Sequence, residues 1–83
     1  MTVSYQTNIQ DQGYNGWTNY ETWNVALWIG NDESIYNAAR KCNSYQELCE
    51  VLYDCGSKET PDGVSFTSPK LNHVELNELL QDL

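Results

Sequence analysis

The sequence predicts a mainly α-helical protein, a small compact bundle of about four short helices with room for one minor short strand or extended pair. Three observations carry that reading. Apolar residues recur at i, i+3, i+4 and i+7 in separate segments, the spacing of one helix face. Three of these segments open on Thr, Ser or Asn with Glu three residues later (Thr18/Glu21, Ser44/Glu47, Asn72/Glu75), the pattern of a capping box. The connections are short and marked by Gly, Pro and Asp.

Residues 1–16, rich in Gln, Asn, Gly and Tyr, show no helical period. Val3 and Tyr5 alternate with polar neighbours, as a short strand would, but the polar composition and terminal position favour a flexible arm. Residues 17–83 then form a single small helical domain. The first helix opens at the Thr18/Glu21 box, and Gly30 is the expected stop because glycine accepts the left-handed conformation after a last turn. "NDE" at 31–33 caps a second helix through Ile35, Ala38 and Ala39 to about Lys41, with Arg40 and Lys41 at its negative end. The third helix carries Tyr45, Leu48, Cys49 and Leu52 inward and stops at Gly56. "GSKETPDGVSFTSPK" reads as a loop with a Pro-Asp-Gly turn, from which Val64 and Phe66 dip into the core as a brief extended segment. The fourth helix starts at Asn72, with Leu71 and Leu76 placed as a staple and Leu76, Leu79, Leu80 and Leu83 as its stripe.

The first helix is apolar almost all the way round. Tyr20, Trp23, Ala26 and Leu27 share one side, Val25 and Ile29 point away and Trp28 lies between, while only Glu21, Thr22 and Asn24 are polar. Such a helix is usually the buried centre of a bundle. Three other short helices leave some of it uncovered, however, and Trp17, Tyr20, Trp28 and Ile29 are the candidate contacts for a partner or a second copy.

Twelve Asp and Glu against four Lys and Arg give a formal net charge of −8. That charge disfavours direct binding to nucleic acid or to anionic membranes and favours basic protein surfaces. Nothing approaches a membrane span, and "MTVSYQTNIQ" has neither the basic nor the apolar part of an export signal, so a soluble cytoplasmic protein is expected. Two stretches echo each other: "ELCEVLYD" places Glu47, Glu50 and Asp54 along one face, and "ELNELLQD" does the same with Glu75, Glu78 and Asp82. Successive carboxylates rise by about 4.5 and 6 Å, so these acidic rows can imitate a phosphate backbone. A solvated face opposite a Leu stripe looks the same, and both readings stay open.

No cofactor or metal is expected. Cys42, Cys49 and Cys55 lie six or seven residues apart, whereas structural zinc sites pair ligands two to four apart. An odd cysteine count without an export signal implies reduced thiols. The single histidine, His73, sits at a helix start without a nucleophile motif around it, and there is no Gly-rich phosphate loop. The chain is therefore read as a non-enzyme, with no catalytic residue.

"GWTNYETWNVALWIGNDESIYNAA" resembles a group of small phage and bacterial proteins, prominent among cyanophages, with an "NYETWNVALWIxND" core. "TPDGVSF" and "LNHVELNELL" are similar to that group's second segment, and Gly30 departs from its core. The resemblance spans about residues 14–83. It implies a viral origin and a host cytoplasm, and it carries no catalytic residues. The expected function is binding: an acidic interaction protein that modulates or inhibits a host protein through an aromatic patch. The alternative is a nucleic-acid mimic whose acidic faces block a DNA- or RNA-binding host protein. A small enzyme or metal protein ranks third.

Overall fold

Each helix begins where a short polar side chain accepts a hydrogen bond from an otherwise free amide. The computed structural model describes residues 14–83, which hold four helices: α1 (Tyr20–Asn31), α2 (Glu33–Arg40), α3 (Tyr45–Asp54) and α4 (His73–Gln81). The caps are Asn19, Asp32, Ser44 and Asn72, bonded to the amides of Thr22, Ile35, Glu47 and Glu75 at 2.9–3.2 Å. Asp32, Ser44 and Asn72 match the sequence reading. For α1 the cap is Asn19 rather than Thr18. A carboxamide both accepts and donates: Asn19 Oδ1 takes the Thr22 amide and hydroxyl, while its Nδ2 donates to the Lys70 carbonyl at 2.7 Å. The Thr18 hydroxyl is used elsewhere, accepting from the Asn72 carboxamide at 2.9 Å.

The predicted stop at Gly30 is also corrected. Gly30 lies within α1, which continues to Asn31. Asp32 ends the helix by turning extended (φ −100°, ψ 118°), its amide still donating to the Trp28 carbonyl and its carboxylate already capping α2. Gly56 does act as expected. Its φ of +86° closes α3 with bonds from Gly56 to Tyr53 and from Ser57 to Leu52, the Schellman arrangement.

The 57–70 connection is more ordered than its composition suggests. Thr60–Gly63 is a tight turn closed by the Gly63 amide on the Thr60 carbonyl, with Gly63 at φ +90°. Behind it, Glu59 and Ser65 pair as a single antiparallel bridge, which is the extent of the expected extended pair. Val64 and Phe66 enter the core.

Tyr14 and Trp17 exchange two backbone bonds, at 2.9 and 2.8 Å, across Asn15 and Gly16, whose φ values of 49° and 90° are those a type I′ hairpin turn requires. Residues 14–16, assigned by composition to the arm, are thus a hairpin turn. The expectation for residues 1–13 lies outside the described residues.

α1 packs against α2 and α4, and α3 packs against the same two. The shared core comprises Val25 and Ile29 of α1, Ile35 and Ala39 of α2, Tyr45, Leu48 and Leu52 of α3, and Leu76 and Leu80 of α4, closed by Val64, Phe66 and Leu71. Tyr45 is at its centre, with its hydroxyl donating to the Phe66 carbonyl at 2.7 Å and its amide bonded to Asn77. Among the described residues no helix is long and apolar enough to cross a membrane.

Candidate interaction surface

α1 turns a mixed stripe inward. Thr22, Val25, Ala26 and Ile29, at i, i+3, i+4 and i+7, are its buried residues, joined by Asn24. Ile29, one of the expected partner contacts, is fully buried and cannot touch a partner. The reason is geometric: helix periodicity puts it on the same stripe as Val25, and α2 and α4 cover that stripe.

Two polar residues of α1, Thr22 and Asn24, are buried rather than solvent-facing, and each anchors one side of the helix. On one side, the Thr22 hydroxyl accepts the Asn72 amide at 3.0 Å, and the Asn72 carboxamide donates to the Thr18 hydroxyl at 2.9 Å. The Thr18 amide donates to a Glu75 carboxylate oxygen at 3.0 Å. These bonds lock the start of α1 to the start of α4. On the other side, Asn24 Nδ2 donates to Asp62 Oδ2 at 2.8 Å, and Asn24 Oδ1 accepts the Thr60 hydroxyl at 2.6 Å. The Thr60 hydroxyl in turn accepts the Val64 amide, and the Trp28 indole N–H donates to the same Asp62 oxygen at 2.9 Å. Asn24 and Thr60 are buried, so every bond they make satisfies a group that water cannot reach. The N–H bonds from Asn24 and Trp28 hold the Asp62 carboxyl below the usual range, because they favour its charged form.

With its underside clamped, α1 presents rings outward. Tyr14, Tyr20 and Trp23 form a closed triangle with centroids 4.9, 5.4 and 5.7 Å apart, the Tyr14–Tyr20 pair edge to face. Tyr14 and Tyr20 are exposed and Trp23 is half-buried. Of the sequence-predicted contacts, Tyr20 belongs to this triangle. Trp17 and Trp28 are half-buried against the core, and Trp28 is committed to Asp62. Tyr14 escaped sequence reasoning because the Asn-Gly turn that positions it lies within a stretch that looks like an arm.

Five of the six carboxylates of the acidic rows lie on outward helix faces. Glu47, Glu50, Asp54, Glu78 and Asp82 are exposed, while Glu75 is half-buried and bonded to Thr18. Lys70–Glu21, at 3.8 Å, is the sole ion pair among the described residues, so neither row is neutralised by a neighbouring cation there.

Cys42 and Cys49 are half-buried and donate to the carbonyls of Ala38 and Phe66, whereas Cys55 is exposed. Burial raises the thiols of Cys42 and Cys49, which disfavours the reactive thiolate form. His73 rests edge-on against the Tyr45 ring at 5.2 Å. Among the described residues, no group of three or more His, Cys, Asp or Glu is placed to hold a metal ion. The described surface thus combines an aromatic face with outward carboxylates.

Fold and surface together define a small all-α domain whose first helix is seated by side-chain amides and hydroxyls and shows aromatic rings outside. The chain belongs to a family of unknown function, DUF7249, whose model matches residues 10–83. No curated protein and no solved structure matches it.

Proposed function

We propose that this protein is a non-enzymatic interaction module that binds a host protein through the Tyr14–Tyr20–Trp23 face and so modulates or inhibits it. The observation that carries the reading is the ring triangle itself. Aromatic side chains supply contact area at little entropic cost, and these three pack on one another, Tyr20 and Trp23 on a helix clamped from below and Tyr14 on the hairpin turn ahead of it. The net charge of −8 favours a partner with a basic rim around an apolar centre. The resemblance to small phage and cyanophage proteins supports a phage gene and a host cytoplasm as the setting.

A second reading, a nucleic-acid mimic, draws support from the five exposed carboxylates without a neighbouring cation. Affinity capture from a bacterial lysate at low and high salt separates the two. Docking through the rings retains its partner at high salt and loses it with the double variant Tyr20→Ala/Trp23→Ala, because apolar contacts are not screened. Mimicry releases its partner steeply with salt and is abolished by charge reversal at Glu47, Glu50 and Glu78. Capture that survives the double variant at high salt overturns the first reading. A second copy of the chain as the partner shows instead as a concentration-dependent dimer that the same variant abolishes.

A further inference from the structure

An open groove of about 420 Å³ runs between α2, α3 and the 57–61 segment. Its floor is apolar, built from Ile35, Ala38, Val51, Leu52 and the edge of Phe66. Its rim carries the carboxylates of Asp32 and Glu59, and no Lys or Arg lines it.

One wall has a second property. Ser57, Glu59 and Pro61 line the groove, whereas the intervening Lys58 and Thr60 bond in the other direction, to Phe66 and Val64. Glu59 is the non-hydrogen-bonded member of its bridge with Ser65, so its N–H and C=O face away from that pairing. Among the described residues, neither of those groups, nor the carbonyls of Ser57 and Pro61, makes a hydrogen bond. The wall is thus a short open strand edge beside an apolar trough.

We infer that this groove takes an extended segment of a basic protein partner, which adds to the Glu59 edge as a strand. Its alternate apolar side chains rest on the Ile35–Leu52 floor, and its Lys or Arg side chains meet Asp32 and Glu59. Backbone bonds supply affinity in this mode and the trough supplies side-chain selectivity. Three free carbonyls against one free N–H make the edge rich in acceptors, and two carboxylates add to that, so the complementary strand is cationic. None of the aromatic-face residues Tyr14, Tyr20 and Trp23 lines the groove.

The test titrates the ¹⁵N-labelled full chain with the acetylated, amidated heptapeptide Lys-Val-Lys-Leu-Lys-Val-Lys, followed by amide shifts. The expected result is a saturable change centred on Ile35, Ala38, Leu52 and Ser57–Thr60, with the Glu59 amide moving downfield as it gains an acceptor. N-methylation of one alternate set of peptide amides abolishes the change, and methylation of the other set does not. Glu59→Lys, at an exposed position and checked for native circular dichroism, weakens binding by about fivefold, the effect of one exposed charge pair. Tyr20→Ala leaves the titration unchanged. The inference is overturned if the Glu59 amide stays still up to about 2 mM peptide. It is equally overturned if the shifts spread over the acidic faces of α3 and α4, or if Glu59→Lys binds as tightly as the parent.

Discussion

The indole N–H of Trp28 donates to the Asp62 carboxylate at 2.9 Å, 34 residues away in the chain. Asn24, one helical turn before Trp28, donates to the same oxygen. A Pro-Asp-Gly turn that looks like surface punctuation therefore grips the middle of α1, and several consequences can be measured.

Asn24→Ala removes the partner of the buried Thr60 hydroxyl and one donor to Asp62. Leaving a buried polar group unsatisfied costs about 1–3 kcal/mol, which for a domain of this size lowers Tm by roughly 5–15 °C. Thermal melts followed by circular dichroism check this. A Tm within a degree or two of the parent's means that the clamp contributes nothing.

Asp62 also predicts a pH dependence with a definite sign. Its folded pKa is depressed, chiefly by the Asn24 bond and then by Trp28. Its contribution is therefore present above the unfolded value of about 4 and fades as pH falls through the folded one. Comparing Tm for the parent and the isosteric, non-titrating Asp62→Asn between pH 7 and pH 2 should show a gap that closes on acidification. A gap independent of pH rules the clamp out as its source.

Tyr45 lies at the centre of the core with its hydroxyl on the Phe66 carbonyl, and burial pushes its ionisation far above the ordinary tyrosine range. An alkaline absorbance titration should reveal one tyrosine that ionises only as the protein unfolds. Because the folded pKa is raised, this contribution holds below the unfolded value of about 10 and is lost as pH rises towards the folded one. Tyr45→Phe should cost about 1–2 kcal/mol in urea unfolding through the lost hydrogen bond.

The thiols offer a quick check of the packing. Cys55 is exposed, while Cys42 and Cys49 are half-buried, bonded to carbonyls and kept protonated. A colorimetric disulfide reagent at pH 8 should modify one thiol quickly and two slowly, and all three quickly in denaturant. Three equal rates in the native protein would contradict this packing.

Gly63 sits at φ +90°, a conformation that side chains with a Cβ avoid. Gly63→Ala should therefore destabilise by roughly 1–2 kcal/mol, although nothing nearby blocks the added methyl. Urea unfolding measures the cost. Full retention of stability would mean that the turn relaxes at no expense to the Asp62 clamp.

The helices were legible because their signals are local. The caps at Asp32, Ser44 and Asn72, the stop at Gly56 and the Leu stripe of α4 all act within a few residues of themselves. The candidate surface was less so. Helical spacing names Val25 and Ile29 as one stripe and Tyr20 and Trp23 as another, but it does not say which is covered. Hydropathy alone argues that Thr22 and Asn24 face water, and both are buried instead. Their partners, Asn72, Thr60 and Asp62, are 36 to 50 residues away, beyond any periodicity. The Thr18/Glu21 spacing pointed to Thr18 as the cap of α1. The choice fell to Asn19 because the Lys70 carbonyl required a donor.

Asp32 stands alone between two helices. One extended residue separates α1 from α2 and serves both of them. The joint between the two helices therefore has no slack, and its permitted length is quantised. A single inserted residue would swing α2 by about 100° about its axis, carrying Ile35 and Ala39 off the core and Ser34 and Ala38 towards it. A change of length at that joint is therefore a change of core.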